Sequence, residues 1–145
     1  MIKIVVTHRG RRADSWLFIF PRISPAQVGH SLGGALAELD TLFMRLNLPA
    51  GTTVRGVTFG KPRVGNPAWA TYFDSQIANF TRVNNKRDVV PTVPGRRLGF
   101  RHPRQEIHIQ EDGMVVACPG ECEIPFFFSA RPRTVLIFSL HTTTR

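Results

Sequence analysis

The stretch VGHSLGGALAELDTLFMRLNL, at residues 28–48, constrains the fold more than any other part of the chain. It opens with the pattern G-x-S-x-G, and Ser31 stands at the centre of that pattern. After Ser31, apolar residues recur in alternating steps of four and three, which predicts one face of an α-helix. These residues are Leu32, Leu36, Leu39, Phe43 and Leu46. The stretch therefore predicts a tight turn that leads directly into an amphipathic helix.

The turn has the composition that a nucleophilic serine needs. Such a serine projects its hydroxyl group into solvent from a strained strand-to-helix turn, and the residues around it have to be small. Gly29 and Gly33 supply this space, and Gly34 lets the helix approach a sheet. The N–H of Leu32, at the start of the helix, is placed to stabilise an oxyanion with help from the helix dipole. The alternative is a glycine-rich helix start without chemistry.

Other apolar runs predict the rest of an α/β domain. Residues 2–7, 54–60 and 80–85 are rich in β-branched and aromatic side chains, which favours strands. Residues 106–117 predict a hairpin that turns at an Asp-Gly pair. Strands and helices alternate along the chain, so we expect one domain over residues 1–145 with a largely parallel sheet flanked by helices.

A second helix is predicted after the 54–60 strand. Asn66 is a favoured N-cap residue and Pro67 suits the first helical position. Trp69, Phe73 and Ile77 follow at intervals of four, so we expect them to face the sheet.

Composition excludes several classes of function. No run of 18 apolar residues is present, which argues against a transmembrane helix, and residues 1–12 have the reverse charge order of a signal peptide. The net charge is +9, but no basic run carries aromatics spaced to stack on bases, so a nucleic-acid partner is not expected. Cys118 and Cys122 are too few for a zinc site, although a local disulfide between them is possible.

Three segments carry a family resemblance. GHSLGGALAELDTLFMRLNLP, VRGVTFGKPRVGNPAWATYF and TRVNNKRDVVPTVPGRRLGFRHPRQEIHI together resemble the fungal class 3 lipases, an α/β-hydrolase family that also includes feruloyl esterases. The similarity covers about residues 29–118 and implies a partial α/β-hydrolase fold.

The resemblance implies roles for individual residues. Ser31 matches the nucleophile, and Asp88 matches the acid that holds the catalytic histidine in one tautomer. Residues 59–66 match a signature that mainly packs the strand-to-helix turn. The chain order of serine before aspartate agrees with the α/β-hydrolase order.

The chain departs from the family pattern at both ends. Residues 8–27 stand between the first predicted strand and the turn as an apparent insertion, and residues 121–145 form a divergent tail. Pro21 and Pro25 interrupt the approach, so the turn is expected to lack the strand that feeds it. The second oxyanion donor of the family has no counterpart here. We therefore expect a chain that is truncated, or whose gene is delimited incorrectly, at both ends.

The catalytic histidine is the weakest assignment. His141 lies downstream of Asp88, as the family order requires, although its surroundings do not match the family motif. His102 and His108 align with non-catalytic family positions and are expected to be structural or surface residues. The other two histidines lie in the turn and in the apparent insertion.

Two functions stay open at this stage. The first is a serine carboxylic-ester hydrolase that resembles a triacylglycerol lipase, acts on acylglycerols or other esters at a lipid interface, and needs no cofactor or metal. The second is a catalytically inactive, lipase-like fragment with a basic surface that associates with membranes. The resemblance implies a secreted protein, and the sequence gives no indication of its oligomeric state or of feruloyl against acylglycerol preference.

Overall fold

The computed structural model describes residues 5–8, 24–118 and 136–137, and for the first and last of these ranges only the backbone. Within these ranges, seven strands form one sheet in sequence order. Neighbouring strands from β1 to β5 are parallel, and β6 and β7 continue the sheet in antiparallel pairs. The strands are β1 (Val5–His8), β2 (Ala26–His30), β3 (Arg55–Phe59), β4 (Phe80–Asn85), β5 (Glu106–Ile109), β6 (Val115–Cys118) and β7 (Leu136–Ile137).

Helical connections join the parallel strands from β2 to β5. Helix α1 (Leu32–Asn47) joins β2 to β3, and α2 (Pro67–Gln76) joins β3 to β4. Two short 3₁₀ helices, Val90–Thr92 and Arg96–Leu98, lie in the connection from β4 to β5. Neither α-helix has the length and apolarity that a membrane span requires within the described residues.

Most of the predicted elements are confirmed. The helix after Ser31 is α1, and the strand predicted at 80–85 is β4. Asn66 caps α2 by accepting a hydrogen bond from the Trp69 N–H at 2.9 Å. The hairpin joins β5 to β6, and Cys118 at its end is disulfide-bonded. β1 includes residues 5–7 of the strand predicted at 2–7 and continues to His8, and residues 1–4 are outside the described range.

The expectation that the turn lacks its feeding strand is wrong. β2 runs directly into Ser31 and pairs with β1 on one side and with β3 on the other. Pro25 stands just before the strand, where it needs no N–H, and its carbonyl accepts a hydrogen bond from the Arg55 N–H at 3.0 Å. Residues 26 and 27 of the apparent insertion thus belong to the sheet, while the division into insertion and tail stays a prediction.

The apolar core lies where both α-helices meet the start of β4. Leu42 of α1 packs there with Phe73, Ile77 and Phe80, and Trp69 packs against this cluster. The rings of Phe73 and Phe80 meet edge to face with centroids 4.8 Å apart. The predicted inward orientation of the α2 residues is therefore confirmed.

The face that α1 turns to the sheet is not the predicted apolar stripe. The buried residues of α1 are small or polar, with one leucine: Gly34, Ala37, Glu38, Thr41 and Leu42. The five apolar residues that define the stripe lie on the opposite side and are at least 40% exposed.

Candidate active site

Ser31 sits at the junction of β2 and α1 in a strained backbone conformation. Its φ is 54° and its ψ is −127°, values that a non-glycine residue adopts only when the surrounding structure enforces them. Its N–H donates to the Phe59 carbonyl at 3.0 Å, which ties the turn to the end of β3. Its hydroxyl group makes no capping hydrogen bond with α1. This is the geometry of a nucleophile elbow.

The glycines around Ser31 allow this close packing. A Cβ on Gly29 would lie 2.1 Å from the Gly33 carbonyl oxygen, so no side chain fits at that position. A Cβ on Gly34 would lie 3.0 Å from Lys61 Cβ and 3.2 Å from the Gly29 oxygen. The N–H groups of Leu32 and Gly33, the first two residues of α1, have no acceptor within the helix and point toward its N-terminal end, whereas the Gly34 N–H donates to the Ser31 carbonyl at 2.9 Å. The elbow therefore offers a serine next to backbone donors.

Asp88 lies in the turn that follows β4. Its Oδ1 accepts a hydrogen bond from the Val90 N–H at 3.0 Å, and its own N–H donates to the Asn85 carbonyl at 3.1 Å. These bonds fix both the backbone and the carboxylate orientation of the residue.

Gly60 lies between the end of β3, which is bonded to the elbow, and the Asp88 carboxylate. It directly follows Phe59, whose carbonyl binds the Ser31 N–H, and it has a positive φ of 53°. A Cβ on Gly60 would lie 2.4 Å from Asp88 Oδ2 and 3.8 Å from His30 Nε2. The absence of a side chain at Gly60 thus lets the Asp88 carboxylate approach the turn that also holds Ser31.

A buried chain of polar groups runs beneath this turn. The Lys61 ammonium forms an ion pair with Glu38 of α1 and contacts His102 Nδ1 at 3.1 Å. Because His102 Nε2 donates to the Pro91 carbonyl at 2.9 Å, Nδ1 is the acceptor for Lys61. Trp69 Nε1 donates to Glu38 at 2.7 Å. The chain links the elbow helix to the connection that carries Asp88.

Burial governs the pKa values in this chain of groups. Desolvation lowers the pKa of Lys61 to about 8, although the charge of Glu38 opposes the shift. Desolvation also lowers the pKa of His102 far below its ordinary value, and the nearby charges of Arg82 and Lys61 act in the same direction. His102 is therefore neutral at physiological pH and serves as a structural hydrogen-bonding residue.

Arg63 fixes the same connection from a second side. Its backbone N–H donates to the Val93 carbonyl at 2.8 Å, and its guanidinium donates to the carbonyls of Thr92 and Pro94, the latter at 2.7 Å. Residues 59–66 were predicted to pack the strand-to-helix turn; in the structure, their two cations Lys61 and Arg63 also contact the connection that carries Asp88.

His108 belongs to a separate buried group on β5. Its Nδ1 lies 3.5 Å from Glu106, which also receives a hydrogen bond from Arg82 at 3.2 Å. Burial alone would raise the pKa of Glu106, but the His108 hydrogen bond and the Arg82 charge hold it below its ordinary value. His102 and His108 are both engaged in structural contacts. His141 lies outside the described residues.

Sequence reasoning missed Gly60, Glu38 and the contact between Lys61 and His102. The spacing of these residues carries no signal, because they meet only through the fold. One hint is present, since Glu38 is an acidic residue inside a strongly apolar helix. Within the described residues, no group of three or more histidine, cysteine or acidic side chains is placed to hold a metal ion.

Comparison with known proteins agrees with this geometry. The profile of a family described as Lipase (class 3) matches residues 20–98. A secreted mono- and diacylglycerol lipase of Malassezia globosa is 45% identical over 83 residues, which are 57% of this chain and 27% of the relative. A lipase of Rhizomucor miehei is 36% identical over 108 residues, which are 72% of this chain and 30% of the relative.

Solved structures give the same result. Lipase II from Rhizopus niveus matches with a TM-score of 0.63 and 39% identity, over 68% of this chain and 38% of that chain. The likeness confirms the expected partial α/β-hydrolase fold. The chain spans less than a third of the length of these curated relatives.

Proposed function

Because this chain belongs to the class 3 lipase family, we propose that it is a serine carboxylic-ester hydrolase that acts on acylglycerols. One observation carries the proposal: a strained serine lies at a strand-to-helix turn that is bonded to Phe59, and the next residue, Gly60, leaves room for the carboxylate of an oriented aspartate. Strain of this kind is stored where a reaction needs an exposed, fixed nucleophile.

The proposed reaction proceeds through an acyl-enzyme. Ser31 Oγ attacks the ester carbonyl, while a histidine takes the hydroxyl proton and passes it to the leaving alcohol. Water then attacks the acyl-enzyme while the histidine takes a proton from that water, and the histidine gives this proton to Ser31 Oγ as the acid leaves. Asp88 stabilises the imidazolium, the Leu32 N–H donates to the oxyanion, and His141 is the proposed base. No step uses a metal or cofactor.

A second candidate is a lipase-like protein that binds lipid without turnover. It is favoured by one observation within the described residues: the ring nitrogens of His102 contact Lys61 and the Pro91 carbonyl, and His108 Nδ1 contacts Glu106, so the contacts of these two histidines are structural. In that case the elbow and the Asp88 turn are retained as packing features of the fold.

Hydrolysis of short-chain and long-chain acylglycerols by the purified chain separates the two candidates. We expect release of fatty acid that is abolished in Ser31→Ala, and that falls in Asp88→Asn and His141→Ala by factors of about 10³ or more. Ser75→Ala is the matched control, because Ser75 is an exposed serine bonded to the Tyr72 carbonyl on α2. Equal rates for Ser31→Ala and Ser75→Ala would rule out the enzyme proposal.

Two finer assignments belong to the same proposal. The relatives named as secreted lipases favour an extracellular location for this chain. These relatives are named mono- and diacylglycerol lipases, which favours acylglycerols over feruloyl esters as substrates here. Competition between a diacylglycerol and a feruloyl ester in the same assay tests the substrate class.

A further inference from the structure

The contacts of His102 determine which of its ring nitrogens carries the proton. Burial lowers the pKa of His102 far below its ordinary value, so the ring is neutral and has one N–H group. Nε2 lies 2.9 Å from the Pro91 carbonyl oxygen, which can only accept a hydrogen bond. Nδ1 lies 3.1 Å from the Lys61 ammonium, which can only donate one. Both contacts therefore require the same tautomer, with the proton on Nε2.

The Lys61 ammonium is fixed in the position from which it donates to His102. It has three N–H donors, and three acceptors surround it: a Glu38 carboxylate oxygen, the Pro62 carbonyl at 3.1 Å and His102 Nδ1. Glu38 is itself held by a hydrogen bond from Trp69 Nε1. Lys61, Glu38 and His102 are each no more than 2% exposed, so water does not compete for these bonds. The donor to Nδ1 is thus anchored to α1 through Glu38.

The proton on Nε2 binds the turn that orients Asp88. The 3₁₀ helix Val90–Thr92 begins two residues after Asp88, and Asp88 Oδ1 accepts a hydrogen bond from the Val90 N–H at 3.0 Å. Pro91, whose carbonyl binds His102, is the middle residue of this helix. In the other tautomer an unprotonated Nε2 would face the carbonyl oxygen, and the hydrogen bond would be lost between two acceptors. The tautomer of His102 therefore acts on the same short helix that holds the Asp88 carboxylate.

We infer that Lys61 and His102 are positioning residues for Asp88. Lys61 fixes the tautomer of His102, the Nε2–H group holds the Pro91 carbonyl, and the Val90–Thr92 helix keeps its hydrogen bond to the Asp88 carboxylate. The effect on turnover rests on the proposed function, in which Asp88 orients the catalytic histidine. The tautomer of His102 and its effect on the turn do not require turnover.

Arg63 holds the residues beside Pro91 and limits the size of the effect. Its guanidinium donates to the carbonyls of Thr92 and Pro94, so loss of the His102 contact shifts the turn rather than releasing it. A displacement of about 1 Å at a catalytic group can lower the rate by about 10²-fold. We therefore expect kcat to fall by about tenfold to 10²-fold, which is less than the loss expected for Asp88→Asn.

Long-range ¹H–¹⁵N NMR of the unchanged chain tests the tautomer without any substitution. For His102 at neutral pH we expect a protonated Nε2 and an unprotonated Nδ1. We also expect slow hydrogen exchange at the Val90 amide, the partner of Asp88 Oδ1. A proton on Nδ1, or a charged ring, would overturn the inference whether or not the chain hydrolyses esters. This measurement therefore separates failure of the inference from failure of the proposed function.

A double variant separates positioning from stability. Glu38→Gln combined with Lys61→Met removes both buried charges, which limits the loss of stability, but it also removes the donor to His102 Nδ1. We expect a folded chain with faster exchange at the Val90 amide. Its kcat for acylglycerol hydrolysis should fall at least about tenfold with KM nearly unchanged, because Asp88 acts in the transition state. A kcat equal to that of the unchanged chain would overturn the inference.

Two substitutions of His102 complete the test. The amide of His102→Gln can accept from Lys61 and donate to Pro91, and it has no tautomer to fix, so most of kcat should be retained. His102→Leu removes both bonds and should match the loss in the double variant.

Leu42→Ala is the control for lost stability, because Leu42 lies in the apolar core and makes none of these bonds. It should unfold at lower denaturant concentration with kcat unchanged in the folded chain. Equal kcat in His102→Gln and His102→Leu, or an equal fall in Leu42→Ala, would show that the buried groups act through stability alone. Circular dichroism checks that each variant is folded under the conditions of the assay.

Discussion

The two faces of α1 have the reverse of the polarity that an ordinary surface helix shows. The inner face buries an acidic side chain, a threonine and small residues against the sheet, whereas the outer face shows leucines and a phenylalanine to solvent. Most helices on a sheet do the reverse. The inner face is small because the elbow requires the helix to begin close to the sheet, and it is polar because Glu38 is the anchor of the buried chain under Asp88.

This difference shows that the spacing of apolar residues along a helix and the packing of that helix are separate properties. The alternating steps of four and three locate a helix correctly, but they do not tell which side of that helix meets the sheet. On α1 the large apolar side chains lie mostly on the exposed face, whereas small and polar side chains pack against the sheet. Substitutions on the two faces should therefore change the free energy of unfolding by very different amounts.

The largest effect is expected on the inner face, from Glu38→Ala. This change leaves the buried Lys61 ammonium and the Trp69 N–H without their shared acceptor. Removing one partner of a buried ion pair costs about 3–5 kcal/mol of the free energy of unfolding. Chemical denaturation followed by far-ultraviolet circular dichroism measures the loss.

A double variant provides the control for this prediction. Glu38→Gln combined with Lys61→Met removes both charges and should recover much of the stability that Glu38→Ala loses. If Glu38→Ala were as stable as the unchanged chain, the buried link between α1 and the Asp88 connection would carry no energy.

The next largest effect is expected at the point where β2 meets the first turn of α1. Gly29→Ala places a methyl group 2.1 Å from a backbone oxygen that cannot move without opening the elbow. We expect a loss of about 3 kcal/mol, at the upper end of the usual cost of overpacking.

Gly95→Ala is the matched control for Gly29→Ala. Gly95 has an ordinary φ of −61°, and no atom lies within 4 Å of the added methyl group. This change should raise stability by about 0.4–1 kcal/mol because it restricts the unfolded chain. Thermal unfolding of both variants checks the contrast, and a neutral Gly29→Ala would contradict the close packing of the elbow.

Acid should lower the stability of the buried chain of polar groups that joins Glu38 on the inner face of α1 to His102. Its pKa is depressed in the folded chain, so below pH 6.5 the unfolded chain binds a proton that the folded chain does not. The contribution of His102 is complete above pH 6.5, and stability falls by about 1.4 kcal/mol per pH unit below that value. His102→Gln keeps a neutral acceptor for Lys61 and should flatten this part of the pH dependence. An unchanged slope in that variant would mean that His102 is not buried as a neutral ring.

Local sequence signals were sufficient for α1, α2, β4 and the hairpin, because the cap of α2, the helical steps and the Asp-Gly turn all act within a few residues. β2 escaped prediction because it is short, half polar and preceded by Pro25, and pairing with β1 and β3 stabilises it. Tertiary contacts of this kind override local preference.

The same distinction applies to the site. The elbow around Ser31 consists of residues that are adjacent in sequence, including its glycines, so the sequence alone identifies it. The chain from Glu38 through Lys61 to His102 joins residues that are far apart in sequence, and only the folded sheet brings them together. The role of Gly60 escaped for the same reason, since it depends on how closely Asp88 approaches.

The smallest effect is expected on the outer face, where two adjacent residues of α1 form a matched pair. Leu42 belongs to the apolar core, whereas Phe43 is 60% exposed. Leu42→Ala should therefore cost about 2–5 kcal/mol, and Phe43→Ser no more than about 0.5 kcal/mol. Chemical denaturation of the two variants measures both losses. Equal destabilisation by the two substitutions would show instead that the outer face is buried in the folded chain, and would end the contrast between the two faces.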